Sequence, residues 1–156
     1  MKNFFTKSGR KITYFGNTLG DLPVKNTSLN PNIKTLDDLF FALLNSFSMD
    51  TIHSSHRTEY DIDNNPTFCH CTLTSIIVFD FFGGEIVTIK VPGGGVHHLN
   101  RIDGHIIDLT SDQFTFKDIT LDYSEPVLDT KENALSNLRE KERYDILLDR
   151  VKNFSF

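Results

Sequence analysis

The chain has 156 residues, of which 38% are hydrophobic and 24% charged, and its formal net charge is −5. This length fits one domain with its own core, and the 14 Phe residues argue against a disordered chain. The sequence contains no basic stripe, so we expect no nucleic-acid partner. It also lacks an apolar run long enough to cross a bilayer and a signal-peptide core, so we expect no membrane partner. The expected location is the cytoplasm, and export by a signal-less route would leave the same pattern.

The first 34 residues form a polar segment rich in Asn, Lys, Gly and Thr. Its one alternating stretch, residues 11–15, predicts an edge strand. The sequence leaves open whether the rest of this segment is ordered or partly disordered. No linker or repeat divides the remainder, so we expect residues 1–34 to be an N-terminal extension and residues 35–156 to be a single domain.

The predicted helices begin at capping signals or run through apolar stretches. Thr35 followed by Asp38 resembles a capping box, and apolar residues at helical spacing follow it. Residues 71–82 are apolar on nearly every side and end at two glycines, which favours a buried central helix over a strand. Asp129 and Glu132 are predicted to cap a last helix with an apolar stripe.

The predicted strands follow the central helix. Residues 85–91 alternate, and residues 96–102 and 105–110 read as two strands joined at Asp103-Gly104, a dipeptide typical of a two-residue hairpin turn. The expected fold is therefore α+β, with a central buried helix packed on an antiparallel sheet.

Cys71, at the start of the predicted central helix, is the candidate nucleophile. A helix N-terminus favours negative charge and lowers a thiol pKa from its usual value of ~8.5. Cysteine catalysis also needs a histidine within hydrogen-bond reach and a group that orients this histidine. Cys69 lies only two positions earlier, and a disulfide between the two would close a very small loop with awkward geometry.

The predicted hairpin supplies the histidine and its partner. With a two-residue loop, His97 and Asp108 share one face of the sheet as diagonal neighbours, while His98 and Asn100 point to the other face. A three-residue loop would instead pair His98 with Asp108. Because Asp-Gly favours the two-residue turn, we prefer His97. We therefore expect the reactivity of Cys71 to depend on His97 and not on His98.

These segments resemble the YunG-like family of small, largely uncharacterised bacterial proteins. The similar segments are Cys69-His70-Cys71, Phe82-Gly83-Gly84-Glu85-Ile86, Val96-His97, Asn100-Arg101-Ile102-Asp103-Gly104, Asp108-Leu109-Thr110 and Gln113-Phe114. The resemblance covers about residues 36–152. It implies a papain-like core in which Cys71 is the nucleophile, His97 the base and Asp108 the acid that orients the base. It implies no particular substrate.

The sequence departs from the family pattern around the candidate nucleophile. His70 stands where the family has a glutamine, whose amide would be a natural oxyanion-hole donor. Cys69 replaces a glycine, and Val96 replaces a tryptophan. A histidine can donate one hydrogen bond, so His70 is a candidate donor beside the Cys71 backbone N–H. Asn100 is a further candidate for an oxyanion or accessory role.

The function expected from these features is cysteine-dependent hydrolysis of an amide or isopeptide bond, without a cofactor. Acyl transfer by the same residues is equally compatible, and the peptide or amide substrate is unknown. Two alternatives remain open: a non-catalytic binding or immunity-type protein on the same scaffold, and a zinc-binding protein that uses Cys69, Cys71 and His97. Thiolate and imidazole ligands suit zinc, although our preferred assignment has no metal. The sequence does not indicate an oligomeric state.

Overall fold

A computed structural model describes residues 2–156, with Leu138 described by its backbone alone; Met1, the first residue of the predicted N-terminal segment, lies outside the described residues. The described chain forms six strands: β1 (Phe4–Phe5), β2 (Lys11–Ile12), β3 (Glu85–Lys90), β4 (Val96–Ile102), β5 (His105–Ile107) and β6 (Val127–Asp129). Its α-helices are α1 (Leu36–Leu44), α2 (Cys71–Phe82), α3 (Asp112–Phe116), α4 (Lys131–Ala134) and α5 (Leu138–Lys152). The mixture of helices and antiparallel sheets confirms the α+β class.

Helix α2 is the buried central helix, and it has the predicted bounds. Its apolar side chains are buried, apart from the partly buried Phe79, because nearly every face of the helix meets another element. The helix ends at Gly83, whose φ of 70° suits a residue without Cβ. The Asn100 amide on β4 donates to the carbonyl of Ser75 at 2.8 Å, which fixes α2 against the sheet.

The main sheet has the strand order β5-β4-β3-β6, and its pairs are antiparallel. The β4–β5 hairpin pairs Ile102 with His105 across Asp103 and Gly104, which confirms the predicted two-residue turn. Both turn residues have positive φ values, 50° and 81°, as a type I′ turn requires.

Strand β5 is shorter than predicted. It ends at Ile107 and not at residue 110, because the chain turns at Asp108: the Thr110 N–H donates to Asp108 Oδ1 at 3.1 Å, and the Ser111 N–H donates to the Asp108 carbonyl at 3.3 Å. Within the described residues, the strand pairing between β4 and β5 therefore stops at Asn100. From Leu99 back to Val96, the edge of β4 that faces β5 is not paired with a β5 residue.

The N-terminal segment joins the core of the domain. Strands β1 and β2 form a two-stranded antiparallel sheet, and β2 is shorter than the strand predicted over residues 11–15. Buried apolar side chains from this segment pack in the same cluster as α1, α2 and α5, namely Phe4, Ile12, Tyr14, Val24 and Ile33.

The C-terminal part differs from its prediction. The expected helix cap at Asp129 is wrong, because Asp129 ends the unpredicted strand β6. Thr130 is the N-cap of α4, and its hydroxyl accepts a hydrogen bond from the Asn133 N–H.

The capping box predicted at Thr35 and Asp38 is confirmed at the start of α1. Among the described residues, no helix combines the length and apolar character that a membrane crossing needs.

Candidate active site

Cys71 is the first residue of α2, and its side chain is partly exposed. The preceding residue, His70, is the N-cap, but its side chain makes no capping hydrogen bond. The first N–H groups of an α-helix have no acceptor within the helix, and their partial positive charge favours a nearby anion. The local structure therefore favours the thiolate form.

His97 and Asp108 form a buried pair. His97 Nε2 lies 2.7 Å from Asp108 Oδ2, and both side chains are only 1% exposed. The same carboxylate oxygen accepts the Tyr123 hydroxyl at 2.8 Å, and Oδ1 accepts the Thr110 N–H at 3.1 Å. Because an ionised carboxylate only accepts hydrogen bonds, His97 carries a proton on Nε2.

The other nitrogen of this ring, His97 Nδ1, is buried and has no hydrogen-bond partner of good geometry among the described residues. The ring is held in place by the edge-on contact of Phe114, with centroids 4.8 Å apart. An imidazole fixed in this way has one nitrogen left for exchanging a proton with the neighbouring thiol.

His98 lies on the opposite face of β4, as the hairpin register predicts, but it is also close to the thiol. Its Nε2 lies 3.0 Å from Asp129 Oδ2, and its Nδ1 lies 3.3 Å from the hydroxyl of Thr72, the residue after Cys71. The side chain and the backbone of His98 both lower the pKa of Cys71. This favours a dependence of the Cys71 thiol on His98, against the expectation from the sequence, and alkylation of a His98 variant tests it.

The early end of β5 explains how two rings on opposite faces reach one sulfur. In the β4–β5 hairpin, Ile102 and Asn100 direct their backbone N–H groups towards β5, and by alternation His98 does the same. Because the β5 pairing has already ended at Asn100, this N–H faces an edge that β5 does not cover. The His98 backbone and the His97 and His98 rings all lower the Cys71 pKa, which indicates that the sulfur lies at this edge of β4.

The pKa of Cys71 is strongly perturbed by these neighbours. Burial alone would raise it, but the neighbouring His97 and His98 outweigh burial and lower the pKa from 9.0 to about 5. Burial lowers the pKa of His97, whereas Asp108 and Cys71 raise it, and the net direction is upward. Both directions favour a thiolate beside an imidazolium over a neutral thiol and imidazole.

Cys69 has the opposite character. Burial, together with the nearby charge of Cys71, raises its pKa to about 11. Its backbone N–H donates to Gln113 Oε1 at 3.2 Å, and Gln113 Nε2 donates to the carbonyl of Thr110 at 3.0 Å. Gln113 thus ties the segment before α2 to the segment that follows Asp108.

The two accessory candidates are held inside the protein. His70 is 0% exposed; its Nδ1 donates to the carbonyl of Phe68 at 2.9 Å, and its Nε2 shares a hydrogen bond with the Thr51 hydroxyl at 2.7 Å. Burial lowers the His70 pKa to about 4, so the ring is neutral and has no free N–H for an oxyanion. The Asn100 amide donates to the Ser75 carbonyl and thereby joins β4 to α2. Of the oxyanion-hole donors expected from the sequence, the Cys71 backbone N–H remains.

Four residues at this site were not among the site residues predicted from the sequence: His98, Asp129, Tyr123 and Gln113. Tyr123 lies in an irregular stretch without a periodic signal, and Asp129 was assigned to a helix cap. Gln113 was noted only as part of a segment that resembles the family.

The structure shows no metal site: no group of three or more His, Cys, Asp or Glu side chains within residues 2–156 is placed to hold an ion. Cys69, Cys71 and His97 therefore do not form a ligand set.

The fold and the site define an α+β protein with a cysteine at the start of a buried helix and two His–Asp pairs beside it. The family model described as YunG protein matches residues 35–155, and the chain belongs to this family. It is 32% identical over 91 residues to "Uncharacterized protein YunG" of Bacillus subtilis (strain 168), an alignment that covers 56% of this chain and 78% of the relative. No solved structure matches the chain.

Proposed function

We propose that the protein is a cysteine-dependent hydrolase or acyl transferase that acts on an amide or isopeptide bond. In this papain-like scheme Cys71 is the nucleophile, His97 the base and Asp108 the group that orients the base. The observation that carries the proposal is the position of His97. Asp108 holds its Nε2 at 2.7 Å, and its partnerless Nδ1 is left beside a thiol at a helix N-terminus.

The reaction begins with the thiolate–imidazolium pair. The Cys71 thiolate attacks the carbonyl carbon, a C–S bond forms, and the Cys71 backbone N–H stabilises the oxygen that becomes negative. His97 then gives its Nδ1 proton to the departing amine as the C–N bond breaks, which leaves a thioester. Water, or an amine in the transferase case, passes a proton to His97 and attacks the thioester, and this step releases the thiolate. Asp108 stays ionised and holds Nε2–H throughout.

The first test measures the reactivity of the two cysteines, because a thiolate is alkylated at a pH where an ordinary thiol is not. With iodoacetamide at pH ~6, peptide mass spectrometry should find Cys71 labelled well before Cys69. His97→Ala should return the Cys71 titration towards the ordinary value of ~8.5. His105→Ala removes an exposed histidine from the same hairpin and should leave the labelling unchanged.

The second test asks for acyl chemistry itself. A small activated ester, p-nitrophenyl acetate, should acetylate Cys71, and intact-mass analysis should detect the thioester in the wild type but not in Cys71→Ala. A non-catalytic scaffold would label both cysteines equally and form no thioester. Either result would contradict the proposed function.

A further inference from the structure

A second His–Asp pair flanks the Cys71 thiol on the face opposite His97. His98 and Asp129 are joined at 3.0 Å, and their side chains are 15% and 12% exposed. His98 Nδ1 lies 3.3 Å from the Thr72 hydroxyl, on the first turn of α2. None of these side chains takes part in the His97–Asp108 pair, and the mechanism above assigns them no role.

Strand pairing brings this second pair to the thiol. His98 pairs with Thr88 of β3, and Asp129 of β6 pairs with Ile86, so both side chains lie on the face of the sheet that α2 covers. Three elements that are distant in sequence therefore meet at Cys71. A purely local structural role would not require a carboxylate from a separate edge strand.

The Asp129 carboxylate is oriented before it meets His98. Its Oδ1 accepts the Thr130 N–H at 2.8 Å and the Asn133 amide at 2.7 Å, which leaves Oδ2 for His98 Nε2. A proton on His98 Nε2 is thereby fixed, and Nδ1 faces the first turn of α2. When His98 is protonated, Nδ1–H is a donor, and Asp129 stabilises the positive charge.

We propose that His98 and Asp129 are a second positioning pair, and that the Cys71 thiolate is held by two imidazole rings on opposite faces of β4. This inference rests on the proposed function only in taking the thiolate as the reactive form. The two rings differ in exposure: the His97 side chain is 1% exposed and the His98 side chain 15%. His97, whose Nδ1 has no other hydrogen-bond partner among the described residues, exchanges the proton with Cys71, whereas His98, whose Nδ1 also lies 3.3 Å from the Thr72 hydroxyl, holds the sulfur in its attacking position.

The electrostatics agree with this division. Burial lowers the pKa of His98, but the interactions with Cys71 and Asp129 raise it, and the net direction is upward. The other titratable groups near the thiol are His97 with Asp108, and Cys69. The Cys69 pKa is in turn lowered by Lys117 and raised by Glu59. The variants below leave His97, Asp108, Lys117 and Glu59 in place, and all of them are compared in the same Cys69→Ser background.

The experiment measures the Cys71 pKa by thiolate ultraviolet absorbance and by the pH dependence of iodoacetamide alkylation, in a Cys69→Ser background so that one thiol reports. Asp129→Asn and His98→Gln should each raise the Cys71 pKa by about 1 or more. At a pH below the wild-type value this slows alkylation about tenfold. Asp129→Glu keeps the carboxylate and should retain more of the low pKa than Asp129→Asn does.

Glu85→Gln is the matched control, because it removes a carboxylate from another ion pair between two strands of the same sheet. Glu85 on β3 lies 2.8 Å from Arg101 on β4, away from the thiol. It should leave the titration unchanged. The inference is overturned if Asp129→Asn or His98→Gln titrates like the wild type. An ordinary thiol pKa in the Cys69→Ser background itself would instead contradict the proposed function, so the two failures are distinguishable.

Discussion

Replacing Cys71 with serine should change how the stability of the protein depends on pH. The thiol titrates near 9.0 without its neighbours and near 5 in the folded protein. A pKa lowered on folding contributes stability that is present above the unfolded value and is lost as the pH falls through the folded value. The free-energy difference of unfolding between wild type and Cys71→Ser should therefore grow as the pH rises from about 5 to about 8.5, by at most ~1.4 kcal/mol per pH unit.

Urea unfolding at a series of pH values, with a reductant present, measures this difference. The slope of free energy against urea should stay the same in both proteins, so that midpoints can be compared. Cys69→Ser is the control: burial raises the Cys69 pKa to about 11, so its contribution is constant below the unfolded value and falls only above it. Because Cys71 also raises the His97 pKa, histidine NMR has to show that His97 keeps its proton in Cys71→Ser. With His97 protonated in both proteins, stabilities that run parallel across this range refute the thiolate–imidazolium assignment.

Two further predictions concern stability alone. Tyr123→Phe removes a hydrogen bond to the buried Asp108 carboxylate and should lower the free energy of unfolding by about 1.5–3 kcal/mol. Tyr60→Phe removes one to a neutral carbonyl and should cost about 0.5–1.5 kcal/mol, so equal urea midpoints for the two variants would contradict the role given to the Asp108 charge. Thr35→Ala removes the hydroxyl that accepts the Asp38 N–H and should cost about 1 kcal/mol, and an unchanged urea midpoint would contradict this capping role.

The parts of the fold that the sequence predicted well have local causes. The two-residue turn follows from Asp103-Gly104, because both positions need positive φ. The bounds of α2 follow from an uninterrupted apolar run that ends at glycine. The capping box at Thr35 likewise depends on residues three positions apart. Each signal lies within a few residues of the structure that it determines.

The second His–Asp pair has no such local signal. Strand β6 has three residues, and Val127 and Leu128 on it are 64% and 61% exposed, so it shows no alternation between buried and exposed positions. Asp129 precedes a short helix, where an acidic residue normally reads as a cap. Its partner His98 lies 31 positions earlier, and only the pairing of β3 with β6 brings the two together.

The end of β5 at Ile107 bears on the chemistry proposed for Cys71. If the hairpin continued as predicted, residues 108–110 would cover the outer edge of β4, and the His98 N–H would bond to a backbone carbonyl. Instead, the chain turns at Asp108, where the Thr110 N–H donates to Asp108 Oδ1 at 3.1 Å and the Ser111 N–H donates to the Asp108 carbonyl at 3.3 Å. The Asp108 side chain still reaches His97, while the His98 N–H stays available to lower the Cys71 pKa. A regular hairpin would thus keep the proposed base and its acid but take this N–H away from the proposed nucleophile, which makes the strand's early end a requirement for the proposed site.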